Sequence, residues 1–385
     1  MESIKNAVIK NKIIILRCDF NVTIKDNKII DDTKIISSLK TIELLLKNNN
    51  KLIILSHLGK VKTEEDLKKN TLYPVYLRLK ELIDTKIYFS PDTRGKNLEN
   101  IINNANYGEI VLVENTRYED LNGKKESSCD NELSKYWASL GNVYVNDAFG
   151  SSHRKHASTY GIKKYLKSYY GLLIDEEINK LQELINNDKH PFTVIMGGAK
   201  VEDKLELISE LLKKCDNLIV GGGIANTFMY AKNFNIGKSL VSLNNTVEIK
   251  ELINKYNDKI ITPLDFYVEN GENKKYRKLD EINNEDIIYD VGPLSLERYK
   301  GIIDNSKIIF INGTMGLYEN ANYKYGTEEL LKELANSNGK VFVGGGDAVS
   351  ATNKLGYKDA FYYKSTGGGA TLEYIISKHL AALED

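Results

Sequence analysis

Apolar positions along the chain fall into two alternating patterns. Short runs rich in Ile, Val and Leu occur at 12–16, 51–55, 86–89, 110–113 and 142–145. They are continuous rather than alternating, which predicts strands buried on both faces. Between them, 34–47, 73–83 and 131–140 carry Leu and Ile at three- and four-residue spacing, which predicts amphipathic helices. That succession implies a mostly parallel sheet covered by helices on both sides. The rhythm pauses at 175–187, a single helix with Ile178, Leu181, Leu184 and Ile185 on one face and acids in its first turn. It resumes after His190-Pro191, with strands predicted at 192–196, 217–220, 307–311 and 340–343. Helices are predicted at 201–214, 224–232, 247–256, 327–336 and 348–355. Residues 266–290 are polar and poorly periodic, and are expected to form irregular strands and surface loops. The fold class is α/β, with two parallel-sheet lobes joined by a helix.

A length of 385 residues agrees with two domains. The 53 basic and 53 acidic residues balance, so a dedicated polyanion binder has no support from charge. No apolar run approaches the ~20 residues of a membrane-spanning helix. The Lys-broken start lacks a signal-peptide pattern. Cys18, Cys129 and Cys215 are odd in number and far apart, and read as reduced cytosolic thiols.

Ligands of open parallel sheets bind beyond the carboxyl ends of the strands. In the first half those exits are polar: Arg17, Asp19 and Asn21; Ser56, His57, Gly59 and Lys60; Glu114, Asn115 and Arg117; Asn146, Asp147, Arg154 and His156. Each residue alone could be a helix cap or an ion-pair member, but the set suits a small doubly charged anion. In the second half the exits are glycine-rich: Gly197-Gly198, 221–223, Asn312-Gly313 with Gly316, 344–346, and 367–369. Glycines there let backbone N–H groups approach a phosphate. Neither GxGxxG nor GxxxxGK[ST] is present, which argues against a dinucleotide oxidoreductase and a P-loop. Lys200 and Lys204, four apart at the expected start of helix 201–214, either neutralise phosphate or pair with Glu202 and Asp203. Asp347 either caps the helix that follows it or reaches a nucleotide-bound Mg²⁺. The histidines form no metal cluster, and no GxSxG nucleophile is present.

Ten ordered blocks now carry a resemblance to the phosphoglycerate kinases, from Ile13 to Leu383. They are RCDFN at 17–21, SHLG at 56–59, ENTRYED at 114–120, NDAFGSSHRKHAS at 146–158, GGAKVEDK at 197–204, GGGIANTF at 221–228, DVGP at 290–293, NGTMG at 312–316, GGGD at 344–347 and STGGGA at 365–370. The resemblance implies a hinge-bending, bilobal, cytoplasmic monomer with a Rossmann-like sheet in each lobe. The expected first domain is 1–168 plus about 375–385, and the expected second is 169–374. The implied reaction is reversible phosphoryl transfer from 1,3-bisphosphoglycerate to MgADP, giving 3-phosphoglycerate and MgATP in glycolysis. No nucleic-acid or membrane partner is implied.

Residue by residue, the resemblance implies that Asp19, Phe20, Asn21, Lys34, His57, Leu58, Gly59, Lys60, Arg117 and Arg154 hold the triose. Gly198, Lys200, Lys204, Gly222, Gly292, Asn312, Glu319, Gly345, Gly346, Asp347 and Ala348 would meet the nucleotide, with Asp347 also serving Mg²⁺. Lys34, Lys200 and the backbone at Gly345, Gly346, Gly368 and Gly369 would face the transferring group. Four positions depart from the family pattern. Lys34 and Lys60 replace arginines, keeping the charge but losing the planar fork. Thr314 replaces a proline and Ala348 a hydroxyl residue. A catalytically weakened paralogue with a binding role is the alternative these departures raise.

Overall fold

The computed structural model describes residues 1–384. They form two compact units: Met1–Asn179 together with the residues from Ser377 on, and Lys180–Ile376. The division falls inside a continuous helix, Leu172–Ile185. That helix starts three residues before the expected 175, because the buried carboxylate of Asp147 accepts the Leu173 and Ile174 N–H groups at its first turn, at 3.0 and 3.3 Å.

The first unit is built on a seven-stranded sheet. Its order is Glu2–Ser3, Ser168–Tyr170, Val143–Asp147, Ile13–Cys18, Lys51–Leu55, Ile110–Val113, Ile87–Ser90. Every pairing is parallel. Because side chains alternate across a strand, Ile14, Leu16, Leu52 and Ile54 pack into one core with helices Thr33–Lys47 and Tyr73–Leu82. Ile15, Ile53, Leu55 and Tyr144 pack into the other with Lys96–Asn104 and Asn131–Ser139. The only tryptophan of the sequence, Trp137, is fully buried in this second core. The tail belongs here too: Ala382 is buried and donates its N–H to the Ser152 carbonyl at 2.9 Å.

The second unit has a six-stranded parallel sheet in the order Ile260–Ile261, Asn217–Val220, Phe192–Met196, Ile308–Asn312, Lys340–Gly344, Tyr363–Lys364. Residues 266–290 are more regular than expected. Asp265–Asn270, Asn273–Lys278 and Ile287–Val291 form an antiparallel sheet, with Phe266 and Val268 buried on its inner face. Asn273–Lys278 is a charged edge strand (NKKYRK), so it lacks the apolar alternation by which strands are read.

The helix expected at 201–214 is shorter, Leu205–Leu212. Val201 is fully buried and Lys204 turns back to bond the Gly197 carbonyl at 2.7 Å, so the chain before 205 cannot be helical. Lys200 and Lys204 therefore do not share a helical face. The helix Gly346–Lys354 is preceded by Gly345, which makes Asp347 its second residue and not its cap.

Candidate active site

Strands Val143–Asp147, Ile13–Cys18, Lys51–Leu55 and Ile110–Val113 are consecutive neighbours, so their polar exits meet along one sheet edge. Asp19 is nearly buried; its Oδ2 accepts from Lys34 Nζ at 3.0 Å and its Oδ1 from the Asn21 N–H at 3.1 Å. Asn21 in turn accepts the Gly59 N–H at 2.8 Å. Phe20 and Leu58 serve this edge through their backbones. Both side chains are buried, while Phe20 N–H donates to Ser56 Oγ at 2.9 Å and Leu58 N–H to Asn115 Oδ1 at 3.1 Å. Arg117 is buried against Asp120, and its Nε–H is buried without a partner. Lys60 and Arg154 are exposed.

The electrostatics of this edge are one-sided. Burial raises the Asp19 carboxyl, but Lys34, His57 and Arg17 outweigh it and bring the group from 3.8 to about 2. Burial lowers His57 well below its ordinary 6.5, and Arg17 lowers it further. Burial with Arg117, Arg17 and Arg154 carries His156 down to about 3. The positive charge therefore resides on arginines and lysines, and these histidines are neutral hydrogen-bonding groups. An edge that resists one more proton is suited to an anion.

In the second unit three of the five glycine-rich exits, through Gly198, Gly222, Gly223 and Gly316, wall a cleft of about 500 Å³. Gly198, Gly222, Glu319 and Asp347 line it, as do Lys238 and Leu240, which sequence reasoning missed because 236–242 carries no periodic signal, and Tyr289, which it missed because 266–290 reads as polar and irregular. Gly222 has a left-handed φ of +57°, and a Cβ there would lie 2.8 Å from the Gly198 carbonyl oxygen. That close approach brings the 198 and 222 backbones side by side. Burial lowers the Lys204 ammonium to about 8, with Asp347 and Asp203 opposing. Asn312 donates to the Gly344 carbonyl at 2.9 Å, tying two strand exits together, and its Oδ1 is buried without a partner. Thr314 donates its hydroxyl to Gly316 at 3.1 Å, which closes the turn where the family has proline.

Seven of the eleven expected nucleotide-side residues, Lys200, Lys204, Gly292, Asn312, Gly345, Gly346 and Ala348, do not line the cleft. Gly292 packs against Asp265, whose Oδ2 would be 2.4 Å from a Cβ. Ala348 is buried in the core beside Ala351. Lys200 is exposed on the segment before Leu205–Leu212. Gly345 and Gly346 head one helix; Gly368 and Gly369 head another, Gly369–Ser377. Among the described residues no three His, Cys, Asp or Glu side chains converge as a metal cage. Asp347, one of the carboxylates lining the cleft, instead fits Mg²⁺ that shares its shell with nucleotide oxygens.

A parallel-sheet unit with a basic edge, and a second with a glycine-walled cleft, suit a two-domain phosphotransferase. The phosphoglycerate kinase family model matches residues 4–378. The chain is 44% identical to phosphoglycerate kinase of Lacticaseibacillus casei over 98% of its length and 97% of the relative's. It is 44% identical to that of Listeria welshimeri over 97% and 95%. Its fold matches solved phosphoglycerate kinases from Coxiella burnetii (TM-score 0.84, 33% identity, 99% and 97% covered) and Pyrococcus horikoshii (0.87, 30%, 100% and 98%). The chain belongs to the phosphoglycerate kinase family, and its activity is that of a phosphoglycerate kinase.

Proposed function

We propose that the basic edge of the first unit holds the triose phosphate and the cleft of the second holds MgADP or MgATP. The observation that carries this reading is the glycine-walled cleft with Asp347 and Glu319 on its rim. It offers close backbone approach to phosphates and one carboxylate for a metal, without a dinucleotide fingerprint. Asp347 would hold Mg²⁺, which when bound offsets charge on the nucleotide phosphates.

The acceptor, a carboxylate or a diphosphate oxygen, is already ionised, so the reaction needs no general base. Catalysis then rests on alignment and on positive charge or N–H dipoles aimed at the transferring group. Lys34, Lys200 and the backbone at Gly345-Gly346 and Gly368-Gly369 take that role in this reading. Arg117, Arg154, Lys60 and His57 orient the triose, and the partnerless Arg117 Nε–H supports an anion there. The free thiols and the family resemblance support a cytoplasmic monomer in glycolysis. A coupled assay of ATP formation from 1,3-bisphosphoglycerate and MgADP tests the reading, and absence of Mg²⁺-dependent turnover in the folded protein would overturn it.

A further inference from the structure

We propose that Glu126 is a positioning residue for this reaction: through Ser158 it fixes the Arg17 guanidinium, and Arg17 fixes His57 as the neutral tautomer that donates from Nε2. The proposal rests on the reading of His57 as a triose contact.

Glu126 is fully buried in the turn before helix Asn131–Ser139, far from any strand exit in sequence. Its Oε2 accepts the Ser158 N–H at 2.9 Å, and its Oε1 accepts the Ser158 hydroxyl in a short hydrogen bond. A hydroxyl has one hydrogen to give. With that hydrogen spent on Glu126, Ser158 Oγ presents a lone pair, and Arg17 Nε donates to it at 2.8 Å. Arg17 is itself fully buried, a charge that needs an opposing one nearby. The Glu126 carboxyl, raised by burial but lowered by Arg17 and its Ser158 bonds, faces it through the serine.

Arg17 Nη1 is occupied by the Cys18 carbonyl, and Nη2 lies 3.1 Å from His57 Nδ1. A guanidinium has no acceptor, so Nδ1 must accept and the imidazole hydrogen sits on Nε2. The charged groups around His57 are Arg17, Asp19, Lys34 and Arg117. Three of them oppose protonation, and Asp19 is already engaged by Lys34. The ring thus presents a fixed N–H donor, held from behind, where a free histidine would sample two tautomers and a cation.

Nitrogen-15 NMR of His57 in the substrate-free enzyme tests the relay. The expected wild-type signal is the Nε2–H neutral tautomer, unchanged between about pH 5.5 and 8. In Glu126→Gln the charge facing Arg17 is lost and the amide can accept at only one of the two carboxylate positions, so the hold on Ser158 and Arg17 loosens. His57 should then populate both neutral tautomers, seen as an Nδ1–H signal, and still not titrate, because burial and Arg17 continue to oppose its protonation. The KM for 3-phosphoglycerate should rise severalfold, with a smaller change in kcat. Ser158→Ala, which leaves Glu126 in place, should reproduce both effects, and Ser158→Thr should restore the wild-type signal. If His57 keeps its single Nε2–H tautomer in Glu126→Gln, or in Ser158→Ala should the first variant not fold, the proposal is overturned. Adding 3-phosphoglycerate to the wild type should shift the Nε2–H signal. No shift would overturn the triose-contact reading while leaving the measured tautomer as it stands.

Discussion

Asp19→Asn removes one negative charge while keeping the shape of the side chain and an oxygen to accept the Asn21 N–H. What it loses is the 3.0 Å ion pair to Lys34, formed by an aspartate only 5% exposed. The carboxyl stands at about 2 in the folded protein against an ordinary 3.8. At 1.36 kcal/mol per pH unit that displacement corresponds to roughly 2.4 kcal/mol. His57 contributes to the displacement only when protonated, and it is neutral at pH 7, so about 2 kcal/mol is the better figure there. Because the folded value is depressed, this stability is fully present above 3.8 and is lost as the pH falls through about 2.

Urea unfolding followed by tryptophan fluorescence is the natural assay. Trp137 is the only tryptophan and lies in the core of the first unit, so the signal reports the unit that contains Asp19. The wild type should exceed Asp19→Asn by about 2 kcal/mol at pH 7, the gap should hold down to about pH 5, and it should narrow below about pH 4. A gap under about 0.5 kcal/mol at pH 7, the range of an exposed ion pair, would refute the argument. So would a gap that widens toward acid.

Lys200→Ala should lower kcat at least about tenfold, roughly 1.4 kcal/mol of transition-state stabilisation; a folded variant with unchanged kcat removes Lys200 from the chemistry. Asp347→Asn should leave Tm nearly unchanged, since Gly345 and not Asp347 precedes the helix, yet weaken the apparent affinity for MgADP or shift the Mg²⁺ dependence; ordinary titrations of both would leave Asp347 without a ligand role. Restoring the family arginine at Lys34 should raise kcat, and at Lys60 should lower KM for 3-phosphoglycerate; steady-state kinetics in which Lys34→Arg has unchanged or lower kcat would mean that the surroundings have adapted to lysine. Burial raises Asp147 from 3.8 to about 7, so its share of first-unit stability is present below 3.8 and lost as pH rises through about 7; Trp137-monitored unfolding of Asp147→Asn should lack that decline, and an identical pH profile would refute it.

The parallel sheets were legible because strands buried on both faces must be continuously apolar, and runs such as Lys51–Leu55 have no alternative use. The anion edge was legible for a topological reason: the four polar exits belong to adjacent strands. The segment 200–204 was misread because its apolar residue, Val201, fits a helical period while serving as an isolated anchor. The helix Pro293–Asn305 escaped notice in the same way, its buried Leu296, Tyr299 and Ile303 being diluted by charge. Glu126 was illegible altogether. Its partners lie 32 residues away at Ser158 and, through that serine, at Arg17, and no local spacing encodes a buried relay between loops.

The tail that bonds Ser152 gives synthesis a direction. The first unit is translated almost completely before the second begins, yet it lacks Leu380 and Ala382 until the whole second unit has followed it. Ala382 ties down Ser152, next to His153 and Arg154 on the basic edge. A nascent chain can therefore gather its sheet early, as domains do during translation, but the loop carrying Arg154 gains its tether from Ala382 only after the second unit has been made. Synthesis of the second unit is in this sense a step in the maturation of the basic edge, and a message that stops after Ile376 would yield two nearly whole units with that loop untied.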